Sequence, residues 1–151
     1  MKRVLFLCSG NYYRSRFAEI VFNWQAEMHQ SGWRADSRGL AVDSRNPGPI
    51  SAHTLRILAD RGILPVCDNR FPIDATVTDF ATANHVVAVK ECEHRRMIDA
   101  RFPDWSDRVE YWHIDDLDCA TPDVAIPQLE SQVIELLNRL QCDSAPFELQ
   151  S

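Results

Sequence analysis

The residues of this sequence that could perform chemistry are concentrated in one segment near its start. Residues 8–15, called the phosphate loop below, read Cys-Ser-Gly-Asn-Tyr-Tyr-Arg-Ser. Five residues between a cysteine and an arginine are enough for the backbone to curl around an oxyanion with several N–H groups pointing inward. Gly10 and Asn11 tolerate the positive φ that such a curl requires. The segment therefore predicts an oxyanion-binding loop.

Cys8 is the predicted nucleophile. An apolar strand precedes it and a helix is expected to begin near Ser15, so the positive end of that helix points at the loop and favours an anion there. Thiols at helix N-termini beside cations react readily as thiolates. Ser15 is expected to cap the helix, to donate to the Cys8 sulfur and to stabilise the thiolate.

Arg14 is the predicted phosphate-binding residue. Its planar fork can bind two phosphate oxygens at once and hold the charge that develops on them in the transition state, which a lysine would not reproduce. The residues expected to contact bound phosphate are Ser9, Gly10, Asn11, Tyr12, Tyr13 and Arg14.

Alternating strands and helices are predicted along the rest of the chain. Strands are expected over residues 3–7, 33–40, 85–89 and 109–114, and helices over 15–30, 51–61, 91–100 and 125–140. This alternation predicts a three-layer α/β domain, with a doubly wound, four-stranded parallel sheet and helices on both faces. We expect one domain over residues 1–142 and a loosely held tail over 143–151.

The composition excludes several classes of partner. The 151 residues are 45% hydrophobic and 25% charged, which is typical of one globular domain, and the net charge of -6 argues against binding to nucleic acid or to an anionic membrane. No apolar run approaches the roughly 20 residues of a membrane span. The apolar stretch at the start is too short for a signal peptide, so we expect a cytoplasmic protein.

Metal and cofactor sites are not predicted. The five cysteines, at positions 8, 67, 92, 119 and 142, are widely scattered, and the five histidines show no ligand spacing. Neither a disulfide framework nor a zinc cluster is therefore indicated. We expect no metal and no cofactor.

The sequence resembles the low molecular weight protein tyrosine phosphatases. That family opens with C-x-G-N-x-C-R-S-P and a helix carrying A-E, and here the residues from Cys8 to Glu19 read C-S-G-N-Y-Y-R-S-R-F-A-E. The segment from Asp36 to Leu40 is similar to the family's S-A-G-L strand end, and the resemblance extends over nearly the whole chain. It implies hydrolysis of a phosphotyrosine protein or a small phosphate ester through a phosphocysteine on Cys8.

The resemblance also implies a general acid and base after the fourth strand. The family uses the aspartate of an Asp-Pro pair, and alignment on Ile114 indicates Asp116 for that role, with Leu117 in place of the proline. Asp115 and Asp118 are the alternatives. Some carboxylic acid is needed there, because the leaving oxygen must receive a proton.

Two departures from the family pattern concern the loop. Tyr13 replaces the family's second loop cysteine, so a neighbouring disulfide cannot protect Cys8 from overoxidation. Tyr12 falls at a position that shapes the pocket wall in the family, where it either stacks on a phosphotyrosine ring or packs over the loop.

Two other functions remain open. Arsenate reductases of related fold use the same loop with two further cysteines close together, whereas Cys67 and Cys92 are 25 positions apart here. A non-catalytic phosphate-binding regulatory protein is the other alternative. For an enzyme, the physiological substrate is a phosphotyrosine protein, a small phosphoester or a phosphoarginine protein.

Overall fold

A parallel sheet forms the centre of the fold. The computed structural model describes residues 1–63, 70–116 and 122–143. Within them the sheet has four strands, namely β1 (Lys2–Cys8), β2 (Trp33–Gly39), β3 (His85–Ala88) and β4 (Glu110–Tyr111). Their order is β2-β1-β3-β4, and every neighbouring pair is parallel. The predicted fold class is therefore confirmed.

Helices cover both faces of this sheet. The α-helices are α1 (Arg14–Met28), α2 (Ala52–Asp60), α3 (Val77–Thr82), α4 (Glu91–Arg101) and α5 (Pro122–Asp143), and a 3₁₀ helix covers Pro103–Arg108.

Strand β1 is buried on both faces. Phe6 lies in the larger apolar core with side chains of α1 and α5, whereas Leu7 lies in the second core with side chains of α3 and α4. Successive side chains of a strand point to opposite faces, so a sheet covered on both sides needs a continuous apolar run.

Two elements of the structure differ from the prediction. The fourth strand has two residues rather than six, although Trp112 and Ile114 continue to donate backbone hydrogen bonds to Ala88 and Val89. Helix α3 was not predicted; it begins with a capping box in which Thr76 and Asp79 bond reciprocally. Its six residues are too few to show a helical period in the sequence.

None of the described helices is long and apolar enough to cross a bilayer. Residues 144–151 lie outside the described part, so the predicted division into a domain and a tail stays a prediction.

Candidate active site

The phosphate loop joins the end of β1 to the start of α1, at the carboxyl edge of the sheet. Ligands of open α/β sheets bind at this edge. Asn11 has φ +52°, one of two positive values among the described non-glycine residues, whereas Gly10 does not use the positive region that the sequence allowed it. The turn of the loop therefore depends on Asn11.

The Cys8 sulfur lies at the centre of the loop. The Asn11 N–H donates to it over 3.2 Å, and the Ser15 hydroxyl is 2.9 Å away. The Asn11 side-chain amide donates to the Ser15 oxygen over 3.0 Å, so the Ser15 proton is free to point at the sulfur. Two hydrogen-bond donors therefore face the sulfur.

Ser15 does not cap the helix, contrary to prediction. Tyr13 occupies the N-cap position and provides no side-chain cap, while Ser15 lies inside the first turn with its side chain wholly buried. The hydroxyl is directed at Cys8 and Asn11 instead of at the free backbone N–H groups of the helix.

Arg14 lies beside the sulfur and is only 2% exposed. Its Nη1 donates to the Ile114 carbonyl over 3.0 Å, and its Nη2 lies 3.2 Å from Glu93 Oε1 and 3.4 Å from Asp116 Oδ2. Burial opposes the charge, but Cys8, Asp116 and Glu93 together raise the pKa of Arg14. The guanidinium therefore remains charged, and it lines the same cleft as Cys8.

A second group of polar side chains holds Arg14 from the side of α4. Glu93 accepts hydrogen bonds from the Ser9 hydroxyl and from Arg14, and its Oε1 lies 3.3 Å from His94 Nε2. Hydrogen bonding to His94 and Ser9 and the charge of Arg14 hold the pKa of Glu93 well below its usual range, although burial opposes this. The carboxylate is therefore ionised.

His94 is wholly buried behind Glu93. The Lys90 N–H donates to His94 Nδ1 over 3.1 Å, so the ring proton is on Nε2. Burial lowers the pKa of His94, which keeps the ring neutral.

Sequence reasoning did not single out Glu93 or His94, which lie in the helix predicted over residues 91–100. The signal that could have found them is their position just after β3, at the same edge of the sheet as Cys8.

A network of buried and partly buried polar side chains holds Asn11 in the loop. The Asn11 side-chain oxygen accepts from Arg70 Nη1 and from the Ile73 N–H, both at 3.0 Å. Arg70 Nη2 donates in turn to Glu19 and Ser37, each over 3.1 Å. Arg70 belongs to no sequence motif, so nothing in the sequence pointed to it.

The end of β2 packs closely against the loop. The Ala41 N–H donates to the Ser9 carbonyl over 2.8 Å. A Cβ at Gly39 would lie 2.9 Å from that carbonyl oxygen and 2.6 Å from a methyl group of Val42. Glycine is therefore needed at position 39 for the backbones to approach.

A cleft of about 550 Å³ opens over the loop. It is lined by Cys8, Tyr12, Tyr13, Arg14 and Asp116, together with Gly10 and residues 46–47 and 51–53. The Tyr12 hydroxyl donates to the Pro47 carbonyl over 2.7 Å, which fixes this ring as a wall of the cleft.

Ser9 and Asn11 are not among the residues that line the cleft. Their side chains bond instead to Glu93 and to Ser15 and Ser37. Contact with phosphate through their backbone N–H groups stays a prediction.

The three candidate acids have different surroundings. Asp116 lines the cleft beside Arg14, whereas Asp115 pairs with Lys90 Nζ at 2.8 Å. Asp118 lies outside the described residues. Of the two candidate acids that the structure describes, Asp115 and Asp116, only Asp116 lines the cleft.

Tyr13 provides a protonated phenol at the cleft. Its side chain is 5% exposed, and its hydroxyl has no hydrogen-bond partner among the described residues. Burial, with a further contribution from the charge of Asp116, raises the pKa of Tyr13 to about 12. Over the described part of the chain, no group of three His, Cys, Asp or Glu side chains is arranged to hold a metal ion.

A comparison with protein families finds a match over nearly the whole chain. Residues 3–144 match the family model described as "Low molecular weight phosphotyrosine protein phosphatase". A search of curated proteins gave no match.

Several solved structures have the same fold. The YwlE arginine phosphatase from Geobacillus stearothermophilus is 25% identical, with 95% of each chain covered and a TM-score of 0.75. A low molecular weight protein tyrosine phosphatase from T. tengcongensis is 23% identical, with 93% of this chain and 97% of that chain covered and a TM-score of 0.74. A low molecular weight phosphotyrosine phosphatase from Vibrio cholerae O395 is 17% identical, with 95% and 99% covered and a TM-score of 0.83.

Proposed function

The chain belongs to the low molecular weight phosphotyrosine protein phosphatase family, and on this premise we propose that it hydrolyses phosphotyrosine through a phosphocysteine on Cys8. The observation that carries the proposal is the pair of hydrogen bonds to the Cys8 sulfur, from the Asn11 N–H and the Ser15 hydroxyl, beside Arg14. Together they supply a stabilised thiolate and a cation for the phosphoryl oxygens.

In the first step the Cys8 sulfur attacks phosphorus. The S–P bond forms while the bond from phosphorus to the tyrosine oxygen breaks, and Asp116 gives its proton to that leaving oxygen. Arg14 binds two phosphoryl oxygens and stabilises the charge that spreads over them.

In the second step a water molecule attacks the phosphocysteine. Asp116, now a carboxylate, accepts a proton from the water, the S–P bond breaks, and inorganic phosphate leaves. The Ser15 hydroxyl, 2.9 Å from the sulfur, stabilises the departing thiolate. The enzyme is then ready for another turnover.

The shape of the cleft favours an aromatic substrate. Tyr12, fixed by its bond to Pro47, and the buried Tyr13 both line the cleft beside Cys8. An aromatic ring presented there would stack or pack edge-on against these side chains. The partner is accordingly a phosphotyrosine-containing protein or a small aryl phosphate.

Phosphoarginine is the second candidate substrate. The observation that favours it is the similarity to the Geobacillus stearothermophilus arginine phosphatase, which covers 95% of both chains. The proposed chemistry on Cys8 is the same, with a guanidinium nitrogen as the leaving atom.

The test compares hydrolysis of p-nitrophenyl phosphate, a phosphotyrosine peptide and a phosphoarginine peptide across pH. Cys8→Ser should abolish turnover, and Cys92→Ser, which removes an exposed thiol, is its matched control. Asp116→Asn should remove the basic limb of the pH profile, since that limb reports the general acid.

The same experiment includes the rival acids. Asp115→Asn is the control on a neighbouring carboxylate, and loss of the basic limb in Asp118→Asn alone would transfer the acid role to Asp118. Full turnover by Cys8→Ser would end the proposal. Thioredoxin-coupled reduction of arsenate by the wild type, without hydrolysis of the three phosphate substrates, would support an arsenate reductase instead.

A further inference from the structure

We propose that Glu93 is a positioning residue for Arg14, with its carboxylate holding the guanidinium in the orientation that receives the phosphoryl group. Ser9 and His94 hold the carboxylate in turn. This inference deepens the proposed function and rests on it, because Arg14 is the residue that binds the phosphoryl oxygens there.

The contacts of one carboxylate oxygen carry the inference. Glu93 Oε1 accepts from the Ser9 hydroxyl, lies 3.2 Å from Arg14 Nη2 and lies 3.3 Å from His94 Nε2. Arg14 is 2% exposed and Glu93 26%, so the pair is largely shielded from water. Hydrogen bonds between charged groups are roughly twice as strong as those between neutral groups, and shielding from water strengthens them further.

Ser9 and His94 support Glu93 and do not form a second nucleophile with its base. The backbone N–H of Lys90 donates to His94 Nδ1, so His94 Nε2 carries the proton and faces Ser9 Oγ at 3.1 Å as a donor. A base for Ser9 would need an unprotonated nitrogen at that position. The side chains of Ser9 and His94 therefore hold the Glu93 carboxylate in place.

Glu93 also decides how Arg14 interacts with the proposed acid. Nη1 is fixed by the Ile114 carbonyl, while Nη2 lies between Glu93 at 3.2 Å and Asp116 at 3.4 Å. Without the charge of Glu93, Nη2 would pair with Asp116 alone. That pair would draw the guanidinium away from the phosphoryl oxygens.

The experiment uses three variants of the full chain. Glu93→Gln removes the charge at nearly constant shape, and Glu93→Asp keeps the charge but withdraws it by one methylene. Glu91→Gln is the matched control, because Glu91 lies on the same helix and pairs with Arg95 outside the site. For each variant we would measure kcat and KM for p-nitrophenyl phosphate across pH, the thermal midpoint, and the NMR order parameter of the Arg14 Nε–H bond without ligand.

The expected result separates positioning from general damage. Glu93→Gln should lower kcat about tenfold with a smaller change in KM, because the lost interaction acts mainly in the transition state. The Arg14 order parameter should fall from above about 0.8 towards about 0.6. Glu93→Asp should lie between Glu93→Gln and the wild type, and Glu91→Gln should match the wild type.

Other results would overturn the inference. It fails if Glu93→Gln matches Glu91→Gln in kcat and Arg14 order. It also fails if Glu93→Gln loses activity only through a lower thermal midpoint, with the Arg14 order unchanged. If the wild type hydrolyses no phosphate ester, the proposed function fails, but the comparison of Arg14 order still decides whether Glu93 positions the arginine.

Discussion

The side-chain amide of Asn11 donates a hydrogen bond to the hydroxyl of Ser37 over 2.9 Å, which joins the phosphate loop to strand β2. Asn11 is wholly buried and lies in the left-handed region with φ +52°. Its amide also bonds to Ser15, and its oxygen accepts from the Ile73 N–H. One side chain therefore sets the turn of the loop and holds it to its neighbours.

Replacing Asn11 by alanine should destabilise the protein. The change leaves several buried groups without partners and puts a residue less tolerant of positive φ in the turn, so we expect the free energy of unfolding to fall by about 2–4 kcal/mol. Urea unfolding measures this. The matched control is Gln30→Ala, which has φ +50° at an exposed position and should cost less than about 1 kcal/mol. Equal losses in both variants would show that the network around Asn11 contributes nothing.

Replacing Arg14 by lysine should remove most of the activity while leaving the charge. A lysine ammonium cannot bind two phosphate oxygens in one plane or reach the Ile114 carbonyl and Glu93 together, so kcat/KM should fall by about 10²–10³. Steady-state kinetics with p-nitrophenyl phosphate measures the loss. Arg45→Lys, at a side chain that is 89% exposed, is the control and should be unchanged. Near-normal turnover in Arg14→Lys would mean that charge alone is enough.

Two tyrosines should respond differently to loss of the hydroxyl. Tyr13→Phe removes a buried hydroxyl that has no partner among the described residues, so stability should stay constant or rise by up to about 1 kcal/mol. Tyr111→Phe removes a 2.8 Å bond to the Ser106 carbonyl and should cost about 1 kcal/mol. Thermal and urea unfolding of both variants test this. A loss in Tyr13→Phe as large as in Tyr111→Phe would reveal a partner for the Tyr13 hydroxyl.

Glu110 should make stability depend on pH. Burial alone would raise its pKa, but hydrogen bonds from His85, Arg139 and Trp112 lower the pKa of Glu110 to about 2. Because the folded pKa lies below the ordinary value, this stabilisation is present above about pH 4.5 and is lost as the pH falls towards about 2. Glu110→Gln should therefore cost about 2–3 kcal/mol near neutral pH and little near pH 2.

Urea unfolding at several pH values tests the Glu110 prediction. Glu135→Gln, at a carboxylate that is 69% exposed and 3.9 Å from the same arginine, should change stability by less than about 0.5 kcal/mol at every pH. A pH-independent cost in Glu110→Gln would contradict the assigned role of the ionised carboxylate.

Local sequence patterns were sufficient for most of the fold. The apolar run of β1 and the helical periods of α1 and α5 predicted their elements to within a few residues, because strand and helix periods are local properties. The short elements were predicted poorly. Strand β4 has two residues and α3 has six, so both depend on contacts with distant parts of the chain.

The sequence by itself determined the parallel α/β fold and the place of the phosphate loop, since a cysteine, a turn and an arginine between a strand and a helix are adjacent in the chain. Only the tertiary structure decided that Ser15 faces Cys8 instead of capping α1, and that Glu93 reaches Arg14. Glu93 and Arg14 are 79 positions apart and meet because β1 and β3 are neighbours in the sheet. Such contacts depend on how strands pair, which no local period of the sequence specifies.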